Sequence, residues 1–479
     1  MSSQQMLETQ SPLCDNLFPE LIDIPELDDG ALFDYAGLPG LRTISQPETY
    51  NHSITIRTKQ TNHFEQCPKC GCPYGKDFKK NGSRPQYIVD EPRGLRSVRI
   101  EISRQSYLCK ICCSAPQLPL FCTEENRRMT PRLLHYIQIN SLLDPFSLVA
   151  QRTSLSPSTV KSVFSNYTRA LDRKIRFRTP RVLGLDGVYI NGKECAILTD
   201  IEAGLVIDVW KDYKTDQLIN ALRSIPGHDK IEVVVIDMSH KLRKAIQKAL
   251  PQALVVIDKF HIQRYANRGI DEVRKRLRMC KRAYARMCTR DLLRKHWDKL
   301  EKEEKDFLET YFKLQPELRL AYETKEALMK IWHSSSSMTA KIRYQRWLEQ
   351  FPLSLEKDFK ELLTAMKNWG EYIFNFFDRR YTNAFTEQSN RQIKDLNREA
   401  RGYSFETARA KIIYGTLLRK QLEAGREQMA EIKRQRKIAR KLTGRRRAKS
   451  IQESGPTSPS NLPAIVNHQL FVQDSLFEN

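Results

Sequence analysis

The chain has 479 residues, and its 80 Lys and Arg against 57 Asp and Glu give a formal charge of +23 and a pI near 9.5. Its 40% hydrophobic content is enough for a sizeable core and excludes wholesale disorder, and its length predicts about two to four domains. No stretch approaches the roughly 18 apolar residues of a membrane span, and the N-terminus lacks a signal-peptide pattern. These features predict a soluble, cytoplasmic protein that binds a polyanion and no membrane.

The charge is distributed unevenly. Residues 1–50 carry nine acidic residues and one basic residue, so the basic character belongs to the rest of the chain. Charges among prolines and glycines predict that residues 1–50 are a flexible acidic segment. At the other end, ten Lys and Arg fall between Lys433 and Lys449, and a Ser/Pro-rich stretch follows, which predicts a disordered tail over residues 431–479. A merely solvated basic surface is the alternative explanation of the charge.

Paired cysteines form the first candidate site, a zinc ribbon over residues 51–125. Two CxxC pairs frame two strand-like stretches with a turn at 92–94, and their members are Cys67, Cys70, Cys109 and Cys112. In a reducing compartment such pairs bind metal more often than they form disulfides, and two CxxC turns offer four thiolates to a tetrahedral structural Zn²⁺. Cys72 and Cys113 lie next to these pairs, so the identity of one of the four ligands stays open. Unligated buried cysteines and a redox pair are the alternatives.

A helix-turn-helix pattern follows over residues 126–175. Helical periodicity begins at Thr130 and breaks at Asp144, and Ser156 followed by Pro157 is typical of a second helix start. Such a second helix would enter a DNA major groove. The outward residues in its first turns are the candidate DNA-binding residues Ser158, Thr159, Lys161 and Ser162. A helical hairpin that serves packing alone would give the same pattern.

Apolar strands then carry acidic residues. The first strand, near residues 181–190, holds Asp186, and the fourth, near 231–236, ends at Asp237. A three-strand meander followed by alternating helix and strand is the order of an α/β RNase H-like fold, in which the first and fourth strands are neighbours. This adjacency would bring Asp186 and Asp237 together. Paired Mg²⁺ (or Mn²⁺) ions about 3.5–4 Å apart would neutralise them and serve in-line displacement at a phosphodiester.

Three other aspartates compete for this role. Asp200 and Asp208 fall in or near the turns of the meander, where acids are often merely solvated. Asp258 is the serious rival, because it too ends a buried strand and is followed by Lys-Phe-His. However, its strand lies one place farther from Asp186. Carboxylates at strand ends also occur in nucleotide-binding sheets, but no Gly-rich phosphate loop accompanies these strands.

The remainder of the chain is predicted to be helical. Residues 176–261 form the first part of the core, 262–378 a long helical insertion, and 379–430 the final core helices. In the last segment Asn383 is a plausible helix cap. The helix that follows has four candidate residues at three- and four-residue spacing, which places them on one face: Glu387, Asn390, Arg391 and Lys394. On that face an acid lies beside groups that are suited to bind phosphate. An ordinary salt-bridged surface is the alternative reading of that face.

Taken in order, these motifs resemble one family. The CPKC…CKIC frame, the helix-turn-helix, GLDGVYI, VVVIDMS, VVIDKFH and YTNAFTEQSNRQIKDLNREARGYSF occur in the order seen in insertion-sequence transposases of the ISL3 family. The resemblance covers roughly residues 67–413. Family members often have glycine after the glutamate of the last motif, whereas this chain has Gln388.

The resemblance implies a DDE transposase with an RNase H-like core, an N-terminal zinc-binding segment and Mg²⁺-dependent cutting and joining at terminal inverted repeats. Its catalytic and metal-binding triad would be Asp186, Asp237 and Glu387, in preference to Asp258. The implied partners are double-stranded DNA at the repeats and at the target, with a homo-oligomer on paired ends. Two alternatives stay open, a non-catalytic DNA-binding regulator derived from a transposase and a structure-selective RNase H-like nuclease.

Overall fold

The protein is described by a computed structural model that covers residues 34–62, 64–123, 127–277, 283–399 and 402–453. The chain divides into two compact units. The first comprises Met1–Arg178 with Arg426–Asn479, and the second is Thr179–Gly425.

The first unit contains a five-stranded mixed sheet. Its strands are β1 (Leu41–Thr43), β2 (Glu48–Tyr50), β3 (Ser53–Gln60), β4 (Phe78–Arg93) and β5 (Arg96–Cys109). The order is β1-β3-β5-β4, with β2 paired to β3, and only the β3–β5 pairing is parallel. Alternating apolar residues of β5 are fully buried, as the period of two of a half-buried strand requires.

The hairpin of β4 and β5 is longer than the sequence predicted, and its turn lies elsewhere. The expected turn at 92–94 is wrong, because Pro92 and Arg93 belong to β4 and the chain reverses at Gly94 and Leu95. A register shift between Asp90 and Arg93 accommodates the proline, and Gly94 supplies the positive φ of 62° that the turn needs.

The acidic segment is ordered from Asp34 onward, contrary to the prediction for residues 1–50. Ala36, Leu38 and Leu41 are buried in the core of the first sheet, because β1 pairs with β3 and brings this apolar stretch onto the sheet. Residues 1–33, which hold most of the acidic residues, lie outside the described residues.

Three helices follow the first sheet along the chain: α1 (Pro131–Leu143), α2 (Phe146–Thr153) and α3 (Pro157–Lys174). The predicted helix starts are confirmed. Thr130 caps α1, and the Ser156 hydroxyl accepts a hydrogen bond from the N–H of Thr159 at the start of α3. Between α2 and α3 the chain turns through Ser154, which adopts a left-handed φ of 54°.

A buried carboxylate fastens these helices to the hairpin. Asp90 of β4 is 1% exposed and accepts hydrogen bonds from Thr130 Oγ1 (2.6 Å) and Arg132 Nε (2.7 Å). Ser154 Oγ also lies 2.8 Å from Ser97 Oγ of β5. The helices and the hairpin are therefore joined by polar contacts at the turn end of the hairpin.

The second unit is built on another five-stranded sheet. Its strands are β6 (Val182–Ile190), β7 (Lys193–Asp200), β8 (Leu205–Trp210), β9 (Val233–Ile236) and β10 (Leu254–Ile257). The order is β10-β9-β6-β7-β8, in which β6 pairs antiparallel with β7 and parallel with β9. The predicted meander and the predicted adjacency of the first and fourth strands are therefore both observed.

Eleven α-helices follow the first strands of the second sheet in the described chain. They are α4 (Thr215–Arg223), α5 (His240–Ala249), α6 (Lys259–Arg276), α7 (Ala283–Arg294), α8 (Lys302–Leu314), α9 (Pro316–Ile331), α10 (Ser337–Glu349), α11 (Lys360–Phe374), α12 (Phe376–Arg379), α13 (Ala384–Glu399) and α14 (Phe405–Glu453). The second sheet and the helices from α4 to α12 share one continuous apolar core. In the part of the chain that the structure covers, no helix has the length and apolar character to cross a membrane.

The predicted start of the disordered tail, at residue 431, is too early. Residues 431–453 continue α14, because this stretch is rich in Lys, Arg, Ala, Gln and Glu, which favour helix, and contains no proline. The remainder of the predicted tail, residues 454–479, lies outside the described residues.

Candidate active site and zinc centre

Two half-buried aspartates occupy neighbouring positions of the second sheet. Asp186 lies within β6, and Asp237 directly follows β9, the parallel neighbour of β6. Burial and the negative charge of Asp237 together raise the pKa of Asp186 to about 7. The sheet thus brings the two carboxylates close enough to repel each other.

Hydrogen-bond donors from elsewhere in the unit orient both carboxylates. Asp186 accepts from the N–H of Gly187 (2.7 Å) and from Asn390 Nδ2 (2.6 Å). Asp237 accepts from Asn383 Nδ2 (3.2 Å), and its other oxygen lies 3.1 Å from His261 Nε2. Burial lowers the pKa of His261, but the hydrogen bond and the charge of Asp237 outweigh it, so the net pKa is raised.

Glu387 stands in the first turn of α13, half-buried, with Arg264 Nη2 3.8 Å from its carboxylate. It lines a cleft of about 810 Å³ together with four arginines: Arg264, Arg268, Arg294 and Arg391. In the described ranges, the three predicted acids do not form a set of ligand atoms within 4.8 Å of one another. Glu387 therefore lines the basic cleft and does not share one tight ligand set with the two aspartates.

A glycine sets how closely α13 approaches the sheet. A Cβ at Gly184 would lie 2.2 Å from Thr199 Oγ1 and 2.5 Å from Thr386 Oγ1, two hydroxyls that are themselves 2.8 Å apart. Only a residue without a side chain fits there. The same helix carries Glu387 and Asn390, so Gly184 helps position both.

The rival aspartates have other partners. Asp258 is fully buried and accepts from the N–H groups of Phe260 and Asn383, both at 3.0 Å, so it caps α6 and fixes the start of α13. Asp200 accepts from the N–H of Ala203, and Asp208 pairs with Arg409 at 2.7 Å. Local structure accounts for all three carboxylates.

The predicted phosphate-binding face of α13 is divided. Arg391 and Lys394 are exposed, whereas Asn390 is 9% exposed and is committed to Asp186. The sequence analysis placed Asn390 among the surface groups, because helical spacing gives a shared side but not its depth. Arg264 and Arg268 were not predicted, although Arg264 lies three residues after His261 and Arg268 four residues further on, a helical spacing that was a usable signal.

The donor set at the aspartate pair fits a hard divalent cation. The amide oxygens Asn383 Oδ1 and Asn390 Oδ1 are buried and have no hydrogen-bond partner among the described residues. Together with the carboxylates of Asp186 and Asp237 they offer the oxygen ligands that Mg²⁺ and Mn²⁺ prefer.

Four cysteines meet at the open end of the first unit's hairpin. The sulfurs of Cys67, Cys70, Cys72 and Cys109 all lie within 4.8 Å of one another. Cys112, which the sequence analysis chose in place of Cys72, is 3.7 Å from Cys67, and Cys113 is exposed. Gly71, with φ of 72°, allows the tight turn that brings Cys72 back beside Cys70.

The cysteine set fits a tetrahedral zinc ion. Backbone N–H groups of Cys70 and Lys69 lower the pKa of Cys67 to about 6, and the N–H of Cys112 is the main cause of a lowered pKa at Cys109. Thiolates are the zinc-binding form of cysteine, so two members of the set are prepared for the metal.

The predicted DNA-binding residues lie in the first turns of α3. Ser158, Lys161 and Ser162 are exposed, and Thr159 is half-buried. The apolar side of α3, which includes Val160, Val163 and Phe164, is buried, and the Phe164 ring packs on Phe146 at 5.0 Å.

Comparisons with known proteins bear on both sites. Residues 183–412, a range that includes the three predicted acids, match the family model of ISL3-type DDE transposases, which is described as "Transposase". The chain is also similar to the transposase for insertion sequence element IS1001 of Bordetella parapertussis. The identity is 22% over 375 residues, which cover 76% of this chain and 91% of that protein.

The five-stranded sheet with the paired acids lies in the segment that matches these proteins. These matches define the class of protein as a transposase. Over residues 183–412 the chain is similar to the ISL3 family of transposases.

Proposed function

We propose that this transposase binds the terminal inverted repeats of its own element and then cleaves and joins DNA strands with an RNase H-like core. Asp186, Asp237 and Glu387 would be the catalytic, metal-binding residues. The observation that carries the proposal is the parallel pairing of β6 with β9, which sets two carboxylates beside each other and next to the helix of the third. Such a pair is costly without cations.

The cation at this site would be Mg²⁺ or Mn²⁺, held by the carboxylates with help from the free amide oxygens. When bound, such ions activate an attacking oxygen and stabilise a leaving one. The chain's own residues do the rest: Asn390 and the Gly187 N–H orient Asp186, and Asn383 and His261 orient Asp237. The arginines of the cleft would hold the phosphodiester backbone.

End recognition would belong to the first unit. The zinc ribbon of residues 51–125 would hold structural Zn²⁺, and the helix-turn-helix of residues 126–175 would place Ser158, Thr159, Lys161 and Ser162 at the DNA. The core would comprise 176–261 and 379–430, interrupted by the helical insertion 262–378. Arg391 and Lys394 would contact phosphates near the acids. A homo-oligomer on paired ends, in the cytoplasm, is part of the proposal.

The test separates cutting from joining. A DNA end from the element, already cut to expose its 3′-hydroxyl, is incubated with the protein, Mg²⁺ and a supercoiled target plasmid. A transposase joins the end to the plasmid, whereas a nuclease only cuts. Tight end binding without cutting or joining, by a protein with its full zinc content, would instead make the chain a regulator.

A further inference from the structure

One aromatic side chain beside the acids is left exposed. Phe260 is 43% exposed at the start of α6, although the same helix buries Ile262, Ala266 and Ile270 on its core side. Its position is fixed, because the N–H of Phe260 donates to Asp258, and the next residue, His261, contacts Asp237. The ring is therefore held within one residue of a group that touches the acid pair.

The Phe260 ring lies where two cavities meet. The 810 Å³ cleft beside Glu387 and a second cavity of about 440 Å³ share Phe260, Gln263 and Arg294 as lining residues. The second cavity also has basic groups on its wall, including Lys259 and Lys299. Lys259 Nζ stands 5.8 Å from the Phe260 ring centre. A flat apolar face is thus set between two positively lined spaces.

This combination suits one class of ligand. Cationic groups bind the phosphates of a nucleic-acid strand, and an exposed aromatic face stacks on a base. A base within a duplex cannot present its face to a side chain, so the base must leave the helical stack. We propose that Phe260 stacks on a base unpaired from the DNA next to the strand position where cleavage occurs. This inference rests on the proposed function.

The experiment measures stacking without cleavage. The full-length zinc-loaded protein is bound to element ends in Ca²⁺, with 2-aminopurine at one position at a time around the element boundary. Wild-type protein should change the fluorescence at one or two positions, and Phe260→Leu should lose that change. Phe307→Leu is the matched control, because Phe307 is 38% exposed on α8 and lies outside the lining of both cavities.

Cleavage in Mg²⁺ gives an independent readout. Phe260→Ala should cut duplex ends roughly 10- to 100-fold more slowly than wild type, the range expected for one lost base stack. A mismatch at the responsive position should restore most of that rate, because the base is then already unpaired. A merely structural role for Phe260 would not give rescue by a mismatch.

The outcomes separate this inference from the proposed function. If wild type cleaves but no position responds, or if Phe260→Leu responds and cleaves like wild type, stacking by Phe260 is wrong and the transposase activity stands. If a Phe260-dependent response occurs without cleavage, stacking stands and the cutting activity is wrong. Failure to bind the ends contradicts both.

Discussion

At the scale of single residues, each aspartate of the pair is held by side chains that orient it without a lysine or arginine. Asp186 is bonded by Asn390, and Asp237 by Asn383 and His261. Amide donors fix the direction of a carboxylate but leave its charge in place. The two asparagines therefore orient the pair without neutralising it, and repulsion by Asp237 adds to burial in raising the pKa of Asp186.

Burial of Asp186, together with its repulsion by Asp237, should make stability depend on pH. The pKa of Asp186 rises from 3.8 to about 7 on folding, so between these values the folded protein binds more protons than the unfolded chain. Its contribution to stability is therefore lost as the pH rises through that window. Asp186→Asn should stabilise the metal-free protein at pH 8 by on the order of 2 to 4 kcal/mol, and much less at pH 4.

Thermal unfolding in chelator at the two pH values measures this difference. Asp200→Asn is the control, because Asp200 caps a turn at Ala203. An equal effect of Asp186→Asn at pH 4 and pH 8 would show that burial and Asp237 do not raise the pKa of Asp186 as described.

A second residue-scale prediction concerns Gly184. In Gly184→Ala the new methyl group would overlap Thr199 and Thr386, which must push α13 from the sheet. We expect a loss of about 1–3 kcal/mol in unfolding free energy and a loss of cleavage larger than that stability change explains. Gly370→Ala is the matched control, since its Cβ would meet Phe374 at an ordinary 3.8 Å. Full activity of Gly184→Ala would show that this glycine is not needed to position Glu387 and Asn390.

At the scale of elements, the β4–β5 hairpin separates the cysteine cluster from the three helices of the first unit's N-terminal part. Its open end carries the cysteines, and its turn end is fastened to the helices through Asp90 and Ser97. Cys109 lies twelve residues after Ser97 along β5, a span of roughly 40 Å at the usual rise of a strand. Loss of zinc should therefore act first on the cysteine end of the unit.

The cysteine geometry predicts which thiols matter most. Cys72→Ser should lower the bound zinc, measured by metal analysis of purified protein, more than Cys112→Ser does, because Cys72 belongs to the tight set. Cys113→Ser, at an exposed thiol, is the control and should keep its zinc. The opposite ranking would restore the ligand set that the CxxC spacing suggested.

The helix-turn-helix makes its own prediction. Lys161→Ala on the exposed side of α3 should weaken end binding and reduce the slope of log affinity against log salt by about 1, as one lost phosphate contact requires. Arg173→Ala, an exposed cation in the last turn of the same helix, is the control for charge alone. Equal slopes for both variants would argue against groove docking by the start of α3.

Some elements could be predicted from sequence because their signals are local. Ser156 and Thr130 mark helix starts by capping chemistry, and the buried strands before Asp237 and Asp258 read as apolar runs. Non-local features could not be predicted from the sequence. The pairing of β1 with β3 orders residues 34–50, and the contact of Asn390 with Asp186 joins residues 204 apart. The choice between Asp237 and Asp258 also came from the family resemblance and not from local pattern.

At the scale of the whole molecule, the charge and the two units fit a protein that handles DNA. The first unit combines a cysteine cluster with capped helices, and the second holds the acids beside four arginines. The segment that contains these acids matches a family of transposases. We propose that Asp186, Asp237 and Glu387 act together as one cutting centre.

The most direct test is Mg²⁺-dependent cleavage of DNA that carries the flanking ends of the element. We would compare wild type with Asp186→Asn, Asp237→Asn and Glu387→Gln, and use Asp200→Asn as a matched control. The account predicts cutting at the element boundary by wild type and Asp200→Asn, and a loss of roughly 1000-fold or more in each of the three variants while end binding persists. Cleavage within tenfold of wild type by any of the three would contradict the proposed triad.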